Sequence, residues 1–308
     1  IGTFIDRSSA LLPVSFQQAQ MLTYQLMFPN STLYNMPILI PFVQVRHECV
    51  CKALWQLAYQ HTLLRTHYAF DHDVFYQIIQ SADGFAFPLV DNDGALLEAF
   101  DLLLAPPVRA RPRAARHGDD TVELLMFSVH HVITDHQTNA ILVKHTLALL
   151  ANGAVASPQL QYADYALWQA QSSNDERVRT DLAWWRQHLS SVPSCMSIPL
   201  DAPRPASQGS DSAQALSFRL DSAMAPKLHA LCSAAGSTMN VGLVVLWGVL
   251  LARLGGDENI VIAQPHSLRH DERLSETVGY FHTILPLLAP AQREVGVARA
   301  IRTMQRGL

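Results

Sequence analysis

Apolar residues recur at helical spacing in several parts of the chain. Where they repeat every three or four residues, one face of a helix is apolar and packs on a core. The segments with this spacing are residues 17–27, 51–64, 139–150, 225–235 and 241–254. Two of these segments end at glycine stop signals, Gly153 and Gly255. The pattern therefore predicts several amphipathic helices.

Shorter apolar segments lie between these helices and predict strands. Residues 122–129 are almost wholly apolar, which is typical of a strand buried on both faces. Residues 36–45, 215–220 and 259–263 also favour strands. Pro37 and Pro41 place the first of these at a sheet edge or in irregular structure. Because strands alternate with helices, the fold class is predicted to be α/β.

A proline-rich stretch divides the pattern into two parts. Residues 190–212 contain four prolines among many serines, so we expect a crossover without regular structure. The chain is therefore predicted to have an N-terminal lobe over residues 1–180, with the histidine-rich motif described below. The start of a C-terminal lobe is predicted over residues 181–308.

Composition excludes several classes of protein. Of the 308 residues, 49% are hydrophobic and 16% are charged, which excludes an intrinsically disordered chain. The formal net charge of −4 gives no electrostatic footprint for nucleic acid or an anionic membrane, so we expect neither as a partner. The longest apolar run, residues 241–252, is too short to span a bilayer.

The four cysteines and the first residue bear on the compartment and on the extent of the chain. Cys49, Cys51, Cys195 and Cys232 form no C-x-x-C pair, which argues against a zinc quartet or a redox motif. A reducing, cytoplasmic compartment is therefore expected. The chain begins at Ile1 with no signal-like region. We expect either a piece of a longer polypeptide or a chain whose first residues are missing.

The strongest candidate for chemistry is His-His-Val-Ile-Thr-Asp-His, residues 130–136, directly after the apolar strand. Loops at strand ends often hold catalytic groups, and histidine is a base near neutral pH. Adjacent strand residues point to opposite faces, so His130 and His131 are poorly placed to bind one ion. With no second ligand cluster in the sequence, we expect no metal. A buried histidine pair without chemistry stays open as an alternative.

Other catalytic templates are missing from the sequence. It contains no G-x-S-x-G elbow, no G-x-x-x-x-G-K-[ST] loop and no G-x-G-x-x-G loop. A nucleophilic serine and a nucleotide cofactor are therefore unsupported. What remains is an acyl or proton transfer that depends on histidine.

Residues 130–135 match the motif H-H-x-x-x-D-G, with His136 at the position of the glycine. Other segments match in the same order along nearly the whole chain. They are residues 12–18 (L-P-x-S-x-A-Q), 34–37 (Y-N), 60–68 (R-H-E-x-L-R-T-x-F), 100–102 (F-D-L), 107–110, 162–168 (Y-x-D-[FY]-A-x-W), 199–205 and 278–283 (V-G-x-F-V-N-T). The sequence thus resembles the condensation domain of nonribosomal peptide synthetases, in the chloramphenicol-acetyltransferase-like superfamily.

The resemblance implies a fold, partners and an activity. The fold is a V-shaped pair of α/β lobes with a central tunnel, and here the second lobe is expected to be incomplete. Donor and acceptor carrier proteins, acyl or peptidyl, are the expected partners, and 4'-phosphopantetheine arms hold their substrates. No tightly bound cofactor is implied. The implied reaction joins a donor thioester to an amine or a hydroxyl in a multidomain synthase of peptide or hybrid polyketide-peptide biosynthesis.

The resemblance also assigns roles to individual residues. His131 matches the catalytic histidine, which takes the proton of the acceptor or holds the acceptor at the thioester carbonyl, whereas His130 is structural. Asp135 is chiefly an anchor whose expected partner is Arg269. His136, in place of glycine, is expected to narrow the tunnel, alter acceptor choice or weaken activity.

Two alternatives stay open from the sequence. One is a free-standing acyltransferase of the same superfamily that uses CoA. The other is a degenerate domain that binds carrier proteins without catalysis, which is motivated by departures from the motifs at Gln17, Gln60, Thr62, His136 and His282.

Overall fold

The computed structural model describes residues 11–116, 120–172, 176–190, 192, 199–200, 216–256, 259–291 and 295–307. These residues form two compact units. The first comprises the described residues up to 172 together with 267–283, and the second comprises 176–266 and 284–307. Residues 267–283 belong with the first unit, and the two lobes over residues 1–180 and 181–308 stay a prediction.

The first unit combines helices with two sheets, as the α/β prediction requires. In chain order its elements are β1 (Leu12–Pro13), α1 (Phe16–Met27), β2 (Asn35–Arg46), α2 (His47–Gln60), β3 (Thr66–Asp71), β4 (Val74–Ile79), α3 (Asp93–Leu97), β5 (Val108–Ala114), β6 (Thr121–His130), α4 (His136–Leu150) and α5 (Tyr162–Ser172). Within the described residues, the strand orders are β1-β4-β3 and β2-β6-β5.

Strand β6 lies at the centre of the second sheet. It pairs antiparallel with β2 on one side and with β5 on the other. Leu125, Phe127 and Val129 are at most 1% exposed, so this face of the strand is buried as predicted, whereas Leu124 and Met126 on the opposite face are only half-buried. β2 is an edge strand of this sheet, as Pro37 and Pro41 predict. The buried β6 leads directly into the histidine motif.

The predicted helices of the first unit are present, with shifted ends. The segment predicted at 51–64 begins earlier, at His47, and ends at Gln60, after which Thr62–Arg65 forms a turn of 3-10 helix. The helix predicted at 139–150 begins three residues earlier, at His136. Both helices pack on β2 and on each other, and α2 also packs on β6, because their apolar faces belong to one continuous core.

The second unit contains α6 (Glu176–His188), α7 (Met224–Ala234), α8 (Met239–Gly255), α9 (Val297–Gly307) and most of two strands, β7 (Asn259–Ser267) and β8 (His282–Pro290). β7 pairs with β8. Gly242 of α8 packs against Cys232, where a Cβ would collide with the sulfur. This close approach joins α7 and α8 in one core, to which Ile301 of α9 also belongs.

The strand predicted at 215–220 is wrong for the residues that the structure describes. Residues 216–220 form no strand, and Leu216 and Phe218 are 90% and 79% exposed. Their apolar alternation meets no partner strand in the described ranges. Most of the predicted crossover at 190–212 lies outside the described residues. Within those residues, no single helix has the length and apolar composition to cross a membrane; α7 and α8 pass that test only as a pair bent by 101°.

Candidate active site

Residues 130–136, the motif segment, connect the central strand to a helix through one turn. β6 ends at His130, residues His131–Ile133 form a turn of 3-10 helix, and α4 begins at His136. Asp135 is the N-cap of α4, where its Oδ1 accepts a hydrogen bond from the backbone N–H of Thr138 at 2.7 Å. This cap satisfies a donor that a helix start leaves free, so the segment has a fixed conformation.

The first histidine of the motif segment is buried and fully engaged. Nδ1 of His130 accepts the backbone N–H of Val132 at 3.1 Å, so Nε2 holds the proton and faces Oε1 of Gln25 at 3.4 Å. Burial, and to a smaller extent the neighbouring His131, lower the pKa of His130 to about 3. His130 is therefore neutral at physiological pH, with both ring nitrogens facing protein partners.

The second histidine is held in one tautomer. Nδ1 of His131 lies 2.6 Å from the carbonyl oxygen of Thr134. Because a carbonyl oxygen only accepts, Nδ1 is the nitrogen with the proton, and Nε2 of the neutral ring keeps a free lone pair. The backbone N–H of His131 donates to the carbonyl of Tyr34 at 2.8 Å, which fixes the position of the ring on the turn. His131 is half-buried, so Nε2 is suited to act as a base.

Two tyrosine rings lie beside His131. The ring of Tyr280 is 4.9 Å from the imidazole, centroid to centroid, at an interplanar angle of 69°. The ring of Tyr34 is 6.4 Å away at 76°. Both residues fall in segments that carry the family resemblance, but sequence reasoning gave neither of them a role. The sequence signal that could have identified them is that each lies in a segment that matches the family, one before the motif segment and one after it.

Asp135 and Arg269 form the predicted pair. Nη2 of Arg269 lies 3.3 Å from both carboxylate oxygens, and the side chains are 0% and 4% exposed. Oδ2 of Asp135 also accepts the backbone N–H of Phe281 at 3.1 Å. Burial lowers the pKa of Arg269, and Asp135 acts in the opposite direction. Since a guanidinium keeps its proton in proteins, the pair is ionic.

Arg269 also organises the chain that follows it. Its Nη1 donates to the carbonyls of Leu274 and Thr277 at 2.6 and 2.7 Å. Thr138 Oγ1 accepts the backbone N–H of Gly279 at 3.0 Å and donates to its carbonyl at 2.8 Å. Residues 274–281 are thus bonded to Arg269 at their start, and to Thr138 of α4 and Asp135 of the motif segment at their end. Thr138 and Gly279 had no assigned role from the sequence.

His136 is the first residue of α4 and is exposed. Within the residues that the structure describes, no hydrogen bond holds its imidazole. The structure therefore places His136 next to Asp135 at the start of the helix. Its influence on the acceptor stays a prediction.

A second chain of titratable groups lies in the first unit away from His131. His61 Nε2 is 2.9 Å from His145 Nδ1, and His145 Nε2 is 3.1 Å from Glu276. His145 and Glu276 line a cavity of about 750 Å³, and another of about 360 Å³ lies beside Gln25. Neither cavity is lined by His131. In the described ranges, no three His, Cys, Asp or Glu side chains are grouped to hold a metal ion.

The sequence of the chain is similar to those of curated subunits of peptide synthases. The chain is 30% identical over 301 residues to one of the subunits of linear gramicidin synthase from Brevibacillus parabrevis, a match that covers 90% of this chain and 6% of that protein. It is 29% identical over 287 residues to one of the subunits of plipastatin synthase from Bacillus subtilis (strain 168), with 89% and 11% covered. The chain therefore spans about a tenth or less of the length of these relatives.

Solved structures confirm the predicted fold. The X-domain from teicoplanin biosynthesis matches with a TM-score of 0.84 at 20% identity, over 99% of this chain and 71% of that one. The condensation domain of the enacyloxin polyketide synthase matches with a TM-score of 0.71 at 19% identity, over 98% and 62%. The family model described as "Condensation domain" matches residues 9–308. The chain belongs to the condensation domain family.

Proposed function

We propose that this chain catalyses a condensation, in which an acyl group passes from a carrier-protein thioester to an amine or hydroxyl acceptor. The observation that supports it most directly is the tautomer of His131. With Nδ1–H bonded to Thr134, the lone pair of Nε2 is free to take the acceptor's proton. In the neutral imidazole this is the tautomer that a general base requires, and the hydrogen bond to Thr134 selects it before any substrate binds.

The proposed reaction proceeds in two steps at the thioester carbonyl. The acceptor nitrogen or oxygen attacks the carbonyl carbon while Nε2 of His131 takes its proton, and the carbonyl π electrons move to the oxygen. The tetrahedral intermediate then reforms the carbonyl and breaks the carbon–sulfur bond. The leaving thiolate receives the proton from Nε2. Throughout, the Thr134 carbonyl stabilises the imidazolium through Nδ1–H.

The supporting residues are proposed to hold this geometry. Asp135 and Arg269 anchor the end of the motif segment, and His130 fixes its beginning through Val132. None of these three is proposed to exchange a proton with substrate. Their effect on rate is exerted through the position of His131.

Donor and acceptor carrier proteins, acyl or peptidyl, are the proposed partners, and their 4'-phosphopantetheine arms are the proposed carriers of both substrates. Support comes from the relatives, which belong to multidomain peptide synthases. The product class is therefore a nonribosomal peptide or a hybrid of polyketide and peptide. No tightly bound cofactor is part of the proposed reaction.

Presenting one acyl group in two forms tests the proposal. The same acyl group is loaded on a carrier protein or on CoA, and product on an acceptor carrier is followed by intact-protein mass spectrometry. We expect a much larger kcat/KM for the carrier-bound donor. Equal use of both donors would indicate a CoA-dependent acyltransferase. If no donor gives product and loaded carriers still bind, the domain is a non-catalytic binding module.

A further inference from the structure

Tyr280 is fixed on both sides by buried hydrogen bonds. Its carbonyl accepts a hydrogen bond from Tyr162 Oη at 2.7 Å. The preceding residue, Gly279, is bonded through both backbone groups to Thr138 Oγ1, and the following residue, Phe281, donates to Asp135. Four hydrogen bonds therefore hold the peptide units on both sides of one residue.

Packing removes the remaining freedom of this backbone. A Cβ on Gly279 would collide with the ring of Tyr162 and lie 2.8 Å from the ring of Phe281. Tyr162 and Phe281 are both fully buried. The backbone at Tyr280 is thus held against a rigid part of the core, and the Tyr280 ring lies beside His131.

The hydroxyl of Tyr280 has no hydrogen-bond partner among the described residues. The side chain is half-buried. Burial raises the pKa of Tyr280, as do Tyr34 and Asp135 to smaller extents. The phenol is therefore neutral at physiological pH, with an O–H that is free to donate.

The proposed reaction needs such a donor. When the acceptor attacks, negative charge develops on the thioester oxygen close to Nε2 of His131, and a fixed donor at that oxygen is one of the largest contributions to catalysis. Three backbone N–H groups of the turn are already engaged. Those of His131, Val132 and Thr134 donate to Tyr34, His130 and His131 respectively.

We propose that Tyr280 is a catalytic residue, whose phenol O–H donates a hydrogen bond to the oxyanion of the tetrahedral intermediate. This inference rests on the proposed function. No proton leaves the phenol during the cycle, since the acceptor's proton travels through His131 to the thiolate. The hydrogen bond is strongest in the intermediate, so it acts on kcat rather than on substrate binding.

Tyr280→Phe removes the hydroxyl and keeps the ring. Tyr24→Phe is the matched control, because Tyr24 is half-buried and its ring contacts Tyr34, one ring further from His131. Turnover is measured with a saturating carrier-bound donor and acceptor, and Tm is measured for each variant. We expect Tyr280→Phe to lower kcat by about 10²–10³-fold with KM and Tm unchanged. Tyr24→Phe should keep the wild-type kcat.

The outcomes separate this inference from the proposed function. If the wild-type protein turns over and Tyr280→Phe keeps its kcat, the phenol has no role in catalysis, although the proposed function stands. A raised KM at unchanged kcat would place the hydroxyl in substrate binding and would also overturn the inference. If the wild type gives no product with any donor, the proposed function fails and this inference fails with it.

Discussion

Nη2 of Arg269 lies 3.3 Å from both carboxylate oxygens of Asp135, although 134 residues separate the two in sequence. These distances are long for a charge-assisted hydrogen bond. The same Nη2 donates a shorter hydrogen bond, 2.9 Å, to Thr138 Oγ1, and the carboxylate also accepts hydrogen bonds from the backbone N–H groups of Thr138 and Phe281. The pair therefore connects the start of α4 to the 274–281 segment rather than forming one short, strong bond.

We expect Asp135→Ala and Arg269→Ala each to lower the free energy of unfolding. Each substitution leaves one charge buried without its partner, which costs about 3–5 kcal/mol. In a double-mutant cycle followed by urea unfolding, the double variant should lose less than the sum of the single losses. Arg273→Ala is the control, since its ion pair with Asp271 is partly exposed to solvent and should contribute less to stability. If the loss of unfolding free energy in the double variant equals the sum of the two single losses, the two residues act independently.

His131→Ala should abolish most turnover without unfolding the protein. The substitution removes the base, whose contribution is typically about 10²–10⁴-fold in rate. Because His131 is half-buried and its Nδ1 bonds only within the turn, Tm should change little. Turnover with saturating carrier substrates and a thermal melt check both statements. Wild-type turnover in this variant would remove His131 from the mechanism.

The sequence predicts the motif segment and its place after a buried strand because both signals are local. The strand is an apolar run, and the motif is a short group of histidines and an aspartate directly after it. The sequence could not predict the contact of Thr138 with Gly279, since a helical threonine and a loop glycine give no signal of a partner 141 residues away. The pairing of Asp135 with Arg269 was available through the family resemblance alone. Residues 215–220 misled the strand prediction because alternation does not reveal whether a partner strand exists.

Acid should destabilise the protein through its buried histidines. Burial lowers the pKa of His61 and of His130 to about 3, against about 6.5 in an unfolded chain. Between these pH values the unfolded state binds more protons than the folded state. The contribution of these two histidines to the free energy of unfolding is therefore fully present above about pH 6.5 and decreases as the pH falls towards 3. Each such histidine contributes a slope of about 1.4 kcal/mol per pH unit.

His61→Gln tests this dependence on pH. The variant removes one of the protons that unfolding takes up, so its stability should fall less steeply between pH 6.5 and 4. Val50→Ala, a buried apolar substitution in α2, the helix that ends directly before His61, should lower stability at every pH with the wild-type slope. Urea unfolding of both variants across this range gives the slopes. Equal slopes for His61→Gln and the wild type would contradict the prediction.

Gly279→Ala should reduce both stability and turnover. The added methyl group collides with the rings of Tyr162 and Phe281, which are fully buried in the core. Overpacking of this kind costs about 1–3 kcal/mol. Since the shift also displaces Tyr280, kcat should fall further than the loss of folded protein explains. Gly296→Ala is the control, because a Cβ there has no atom within 4 Å. If Gly279→Ala is as stable and as active as Gly296→Ala, the backbone near Tyr280 accommodates the methyl group and the prediction is wrong.

His136→Gly should change which acceptors are used. His136 is the exposed first residue of α4, directly after Asp135, and the family motif has glycine at this position. Removing the imidazole opens space at the start of the helix, so kcat/KM should rise for a bulky acceptor relative to a small one. Ala140→Gly, at an exposed position one turn further along α4, is the control for the weaker helix propensity of glycine. Competition between the two acceptors in one reaction gives the ratio directly. If His136→Gly and Ala140→Gly both keep the wild-type ratio, the imidazole points away from the acceptor and has no part in selecting it.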